Sequence, residues 1–448
     1  MRPTFRFLTL VSVLVLVVSS SAVAPAGAQQ AGGPVPTGEH VFSFGNIPAD
    51  FAGRVASNGG RVVRTHPAIG VAVASGLSDT GAAVVAAGGQ VAADVELQWI
   101  PTLEQMQGSV QSTGELRGNG HDPTTAAFFP FQWDMQIIDA DDAWNAGYSG
   151  NSNVVVAVLD SGIDPYHQDL AGLVDFGTSV AFVPSVVGSP EWVDDRFHGT
   201  HVAGSIVTNG IGTSGVAPHT RLMAVKVLNV NGGGSFANIT AGIMHAADNG
   251  ADIINMSLGV PGGIPKNLPG AGPLMAAINR AVNYANRAGV LVISAAGNDG
   301  LDMQHSGNVA FTPCENGAGI CVSATGPTDA LAGYSNFGTS AVDVAGPGGD
   351  IDVTGNPFTG MVISPCSSFS VFFNCAGGIS YLFAEGTSMA TPHAAGVAAL
   401  IDAQSNGGLR SGQLKTRLQQ SADDIGKKGA DAATGKGRVN ACTAVGCR

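Results

Sequence analysis

Two rhythms of apolar and polar positions divide the chain. Between about residues 41 and 100 the runs are short: Val41 to Phe44 reads as a strand, Ala49 to Asn58 as a helix, and Val62 with Val63 and Ile69 to Ala74 as further strands. A second helix over Asp79 to Ala87 stops at Gly88-Gly89 and gives way to the strand Val91 to Leu97. Two helices alternating with several strands predict a small α+β module. Residues 103 to 126 then lose periodicity and fill with Gln, Gly, Ser, Thr, Asn and Asp, the composition of an exposed linker.

Beyond the linker the apolar runs are nearly continuous. Val154 to Leu159, Leu222 to Val227, Ile253 to Leu258 and Val290 to Ala295 are expected strands, with helices near 237 to 249 and 273 to 288 between the last three. Strands apolar on both faces, alternating with amphipathic helices, require a parallel sheet covered on both sides. The expected fold class is therefore α/β, three layers around a mostly parallel central sheet, preceded by the small α+β domain. Ligands in such sheets gather at the carboxyl ends of the strands, so the residues following each strand are where chemistry is expected.

Composition changes this picture little and the N-terminus changes it more. Of the 448 residues 44% are hydrophobic and 12% charged, with 64 glycines, which suits a folded enzyme with many tight turns and excludes a charge-rich disordered chain. A net charge of -13 with no basic run argues against nucleic acid as a partner. Arg2 and Arg6, the apolar run Phe7 to Val18 and the small residues ending at Ala26, Gly27 and Ala28 have the three parts of a signal peptide. That run is shorter than the ~20 residues a membrane span needs, so a secreted, extracellular protein outside the membrane is expected. Six cysteines suit that compartment; of 15 connectivities, the local pairs Cys314 with Cys321, Cys366 with Cys375 and Cys442 with Cys447 are preferred.

Four strand-end or helix-start segments carry the candidate chemistry. Asp160-Ser161-Gly162 closes the strand Val154 to Leu159; alone, such an Asp is more often a turn former. His198-Gly199-Thr200-His201-Val202-Ala203-Gly204 opens a helix, with His198 at its entry and His201 turned into its body. Ser388 lies in Glu385-Gly386-Thr387-Ser388-Met389-Ala390-Thr391-Pro392-His393, which leads into a helix reaching about Ala403. A serine there is usually a cap, but an imidazole acting as base and a carboxylate holding that imidazole would make it a nucleophile. Ser294-Ala295-Ala296-Gly297-Asn298 delivers an amide that could donate to the oxyanion formed when Ser388 attacks a carbonyl.

Taken in order, the Asp-Ser-Gly, His-Gly-Thr-His-Val-Ala-Gly and Gly-Thr-Ser-Met-Ala-Thr-Pro-His runs resemble the subtilisin-like serine proteases, the subtilase or peptidase S8 family, over about residues 126 to 448. The resemblance implies a serine endopeptidase acting through an acyl-enzyme, with Asp160, His198 and Ser388 as catalytic triad and Asn298 in the oxyanion hole. Ser257-Leu258-Gly259 resembles the segment whose backbone pairs with an extended substrate. The module near 41 to 100 resembles the family's inhibitory propeptide, which gives the division 1–28 signal peptide, 29–102 propeptide, 103–125 linker with the maturation cut, and 126–448 peptidase domain. Expected partners are protein or peptide substrates and the chain's own propeptide as intramolecular inhibitor, in a monomer.

No cofactor is required for this chemistry. A structural calcium is left open by the resemblance: Gln132 and Asp169 fall on positions that can ligate it, although the stretch Ile206 to Gly215 is shorter than in calcium-loop members. Two other readings use the same residues, a triad esterase and an inactive binding protein on the same fold; the second would be expected to have lost one of the four site residues, and all four are filled.

Overall fold

β1 (Val35–Ser43), β2 (Arg61–His66), β3 (Val71–Ser75) and β4 (Gln90–Gln98) form an antiparallel sheet in the order β2-β3-β1-β4. This computed structural model describes residues 33–102, 106, 110–115 and 122–447, excepting the side chains of 110–115 and Ala376. The leader assigned to 1–28, and 103–105, 107–109 and 116–121 of the linker, lie outside the described residues.

Side chains alternate between the two faces of a strand, and the small sheet uses both of its faces. Phe42, Ala72 and Ala74 pack under the helices Phe51–Ser57 and Asp79–Val85 through Phe51, Val55, Ala82 and Val85. Their neighbours Val41, Val71 and Val73 turn the other way, into a core shared with the helices Phe236–Asp248 and Ala271–Ala288 of the larger domain. The module is thus a lid with its own core, seated on two helices.

The linker is not structureless throughout. β5 (Val110–Glu115) pairs antiparallel with β17 (Ser380–Ala384), which also pairs with β16 (Val362–Pro365). Backbone pairing on the edge of an existing hairpin needs no apolar stripe, so Val-Gln-Ser-Thr-Gly-Glu gave no strand signal.

The central sheet is the expected one. It comprises β6 (Val155–Asp160), β7 (Val180–Ala181), β8 (Arg221–Lys226), β10 (Ile253–Met256), β12 (Leu291–Ala295), β14 (Ile320–Thr325) and β15 (Val344–Pro347). The order is β15-β14-β12-β10-β6-β8-β7, with every pairing parallel. The remaining strands are β9 (Gly233–Ser235), which extends the small sheet beside β4, and the pair β11 (Ile264–Pro265) with β13 (Val309–Ala310).

Alternation again sorts the core. Ala157, Leu159, Met223, Val225, Ile254 and Val292 face the helices Phe236–Asp248 and Ala271–Ala288, whereas Val156, Val158, Leu222, Ala224, Ile253 and Ile293 face the helices His198–Ile206 and Thr387–Ala403. The result is a three-layer α/β fold. From β6 the chain builds outward first through β8 and later through β10, so the strand order reverses at β6, and the crevice outside its carboxyl end is where a ligand is expected.

All three cysteine pairs close locally: Cys314–Cys321, Cys366–Cys375 and Cys442–Cys447. No helix of the described residues is long and apolar enough to cross a membrane.

Candidate active site

Asp160 is the last residue of β6, and His198 is the first of the helix His198–Ile206. Gly199 lets the two meet: a Cβ there would collide with the Gly162 carbonyl and press to 3.1 Å from the Asp160 Cβ. Packed this closely, His198 Nδ1 lies 2.8 and 3.0 Å from the two Asp160 carboxylate oxygens, and Asp160 Oδ1 also accepts the Ser161 N–H at 2.6 Å. Both residues are buried. A carboxylate accepts only, so Nδ1 carries the proton and Nε2 is left as the basic nitrogen.

The approach to His198 is fixed by buried ionic groups that the sequence reading missed. Asp194 accepts from Ser161 Oγ, from the N–H groups of Arg196, Phe197 and Thr200, and from Thr200 Oγ1. Lys226, wholly buried at the end of β8, donates to Asp195 Oδ1 at 2.8 Å and to the Ser161 and Leu228 carbonyls. A buried charge needs such pairing; one cue was a Lys directly after the apolar run Leu222 to Val225.

Ser388 is the second residue of the helix Thr387–Ala403. Its hydroxyl donates to the Ser257 carbonyl at 3.1 Å, while Ser257 Oγ donates to the Ser388 carbonyl at 2.9 Å. No hydrogen bond joins Ser388 to His198 among the described residues; in this state the hydroxyl proton rests on Ser257.

Asn298 follows β12, and its Oδ1 accepts both the N–H and the hydroxyl of Thr387, each at 2.8 Å. That fixes the amide's orientation and leaves Nδ2 as the free donor. A Cβ built on Gly386, at φ 150°, would lie 3.3 Å from Asn298 Nδ2 and 3.7 Å from the Ser388 nitrogen. The glycine therefore keeps open a point that two N–H groups border at a helix N-terminus, an arrangement suited to developing negative charge. Thr387, which orients the amide, was not singled out from the sequence.

His201, given to packing, donates Nε2–H to the Leu382 carbonyl at 3.1 Å, and burial lowers its pKa to about 3, so it stays neutral.

Of Ser257-Leu258-Gly259, the last bonds the protein's own chain through its backbone. Gly259 donates its N–H to the Trp99 carbonyl at 2.8 Å, and Trp99 donates its N–H to Gly232 O at 3.0 Å and its indole N–H to Gly234 O at 2.8 Å. The indole is fully buried, edge-on to Phe236 with ring centroids 5.4 Å apart. Just upstream, Glu96, Leu97 and Gln98 pair with Ser235, Gly234 and Gly233. The glycines 232–234 after β8 thus hold the other side of the segment that Gly259 meets, a position beyond a strand's carboxyl end that could have drawn notice.

Gln132 and Asp169 are not placed as calcium ligands. Asp169 accepts the N–H groups of Ile211, Gly212 and Thr213 and the Tyr381 hydroxyl, while Gln132 Oε1 accepts the Ser214 N–H at 2.7 Å. Four donors engage the Asp169 carboxylate and one the Gln132 amide oxygen, and a cation would compete with them for those oxygens. The short 206–215 stretch wraps Asp169 with amides, so these residues do not fit a calcium ion.

The Subtilase family (Peptidase S8) profile matches residues 151–437. The chain belongs to the subtilase family. Subtilisin Savinase of Lederbergia lenta is 35% identical over 311 residues, covering 69% of this chain and 96% of that one. A thermophilic serine proteinase of Bacillus sp. (strain AK1) is 34% identical over 72% of this chain and 69% of its own length. Among solved structures, the epidermin leader peptide processing serine protease of Staphylococcus aureus superimposes with a TM-score of 0.72 at 22% identity over 92% of this chain and 98% of that one. This subtilase is accordingly a serine-type endopeptidase, and subtilases need no cofactor for catalysis.

Proposed function

We propose that this subtilase is a secreted, self-processed endopeptidase whose triad is Asp160, His198 and Ser388. The observation that carries the reading is the Asp160 carboxylate on His198 Nδ1, at the same carboxyl edge of the sheet as a serine whose helix start and Asn298 supply two N–H donors unengaged among the described residues. His198 Nε2 takes the Ser388 proton as Oγ attacks the scissile carbonyl, and the oxyanion is met by Asn298 Nδ2 and Ser388 N–H. His198 then gives that proton to the leaving amine; water, deprotonated in turn by His198, hydrolyses the acyl-Ser388 ester. Gly232 and Gly259 bind main-chain groups only, which suits many peptide sequences.

A serine-directed fluorophosphonate tests this assignment. It is expected to add once, on the peptide containing Ser388, and to abolish casein digestion. An adduct elsewhere, with digestion lost, would move the nucleophile to that residue.

In Asn298→Ala one oxyanion donor is gone. Turnover is expected to drop by about 10²–10³ with KM little changed, the size known for the equivalent amide in subtilisin. Steady-state kinetics on one peptide substrate measure it, and a loss confined to KM would place Asn298 in ground-state binding instead.

The same proposal divides the precursor into a leader (1–28), a propeptide (29–102), a cut within 103–125 and a peptidase domain (126–448). Trp99 supports the inhibitory role, since a buried aromatic with three backbone hydrogen bonds is the kind of anchor that dominates an interface. Supplied in trans, the 33–102 segment with Trp99→Ala is expected to inhibit at least about 30-fold more weakly than the unaltered segment. Equal inhibition constants in a titration would place the inhibitory contacts elsewhere.

A further inference from the structure

Past Trp99, Pro101 and Met106 both lie against the segment that leads into His198. Gly259, which holds Trp99, lies two residues beyond Ser257, which holds Ser388, so residues after Trp99 head toward the nucleophile. The Pro101 carbonyl accepts Arg196 Nη2 at 2.7 Å, two residues before His198. Met106 lies further on and is buried in a small apolar cluster with Phe197, Phe373, Leu382 and the Cys366–Cys375 bridge.

This second pocket is built, and it is tied to the catalytic segment. The loop closed by Cys366 and Cys375 is stitched to the residues just before His198: Ser367 Oγ donates to Asp194 O, Ser370 Oγ to Arg196 O, and Val371 N–H to Asp195 O. Arg196 itself is 1% exposed; its Nη1 donates to Val230 O at 2.9 Å, Nη2 comes within 3.8 Å of Met106 Sδ, and Nε has no acceptor among the described residues. A guanidinium so placed, with a donor in reserve, suits a chain that presents carbonyls as it passes.

We infer that Phe197, Phe373, Leu382 and the Cys366–Cys375 bridge form a binding site for the leaving-group side of the substrate, taking a large apolar side chain such as Met, while Arg196 holds a main-chain carbonyl of the chain as it approaches that site. Met106 is the site's occupant in the precursor, and a peptide substrate replaces it in the mature enzyme. The site would make selection depend on residues after the cut as well as before it. This inference rests on the peptidase reading above.

The test uses mature enzyme and internally quenched peptides, constant before the cut, with Met or Ser placed in turn at each position after it. At one position the wild type is expected to cleave the Met peptide about ten-fold faster in kcat/KM, the selectivity available from one apolar side chain. In Phe373→Ala that ratio is expected to collapse to near one, and in Phe373→Leu to be largely kept; being read within each enzyme, it is insensitive to a general loss of activity. A wild-type ratio near one at every position, or a ratio untouched in Phe373→Ala, overturns the site while leaving the peptidase reading intact. Cleavage of no peptide at all overturns both, and the wild-type ratios decide the matter even where a variant fails to fold.

Discussion

Ser388→Ala is expected to lower turnover of a peptide substrate by a factor on the order of 10⁶, the loss known for the corresponding serine of subtilisin itself. On the proposed mechanism the hydroxyl is the atom that becomes acylated, and His201 cannot stand in: it is buried, neutral and committed to Leu382. Removing it sacrifices one neutral hydrogen bond to the Ser257 carbonyl, worth about 1 kcal/mol, and leaves the helix Thr387–Ala403 otherwise as it was. The variant should therefore unfold at nearly the temperature of the parent. If processing is intramolecular or between copies, the purified Ser388→Ala precursor also keeps its full mass on incubation while the parent is cut in the 103–125 segment. Intact mass spectrometry and single-turnover kinetics on both forms measure this. A variant that sheds its N-terminal segment and digests casein at the parental rate would remove Ser388 from the chemistry.

What could be read from the sequence followed from how each signal arises. β6, β8, β10 and β12 were legible because helices cover both faces of a parallel sheet, so nearly every position must be apolar. β14 and β15 escaped notice: Ile320 to Thr325 includes Cys, Ser and Thr, and β15 is four residues long with Gly346 and Pro347. The candidate nucleophile, base and carboxylate were legible because each stands at an element's end beside a glycine or small residue that only close packing requires, as Gly199 and Gly386 now show. Their supporting partners were not. Asp194, Asp195 and Lys226 are charged residues whose burial depends on contacts across the fold, and no local pattern reports it. Asp169 shows the converse. A carboxylate on a family calcium position was kept as a ligand candidate, but the amides of 211–213 occupy its oxygens, and only the folded loop reveals which of the two satisfies the charge.

Asp160→Asn is the variant that separates orientation from mere presence of the triad, and it is expected to reduce kcat by about 10⁴ near neutral pH, as measured for the matching change in another serine protease. The substitution is nearly isosteric, and Asn Oδ1 can still accept the Ser161 N–H that Asp160 now accepts at 2.6 Å, so the fold around β6 is retained. The change lies in what faces His198. A carboxylate presents two acceptors to Nδ1, at 2.8 and 3.0 Å, and so holds the proton on that nitrogen. With one acceptor spent on Ser161, the amide turns its NH2 toward the ring, and Nδ1 must become the acceptor. The proton then moves to Nε2, the nitrogen that should have received the Ser388 proton, and general-base catalysis stops although all three side chains remain in place. KM should change little, because the backbone groups of Gly232 and Gly259, which the proposal gives to the substrate, are untouched. Titration of kcat and KM with one peptide, alongside thermal unfolding, measures the split; a kcat within ten-fold of the parent's would mean that a group other than Asp160 sets the His198 tautomer.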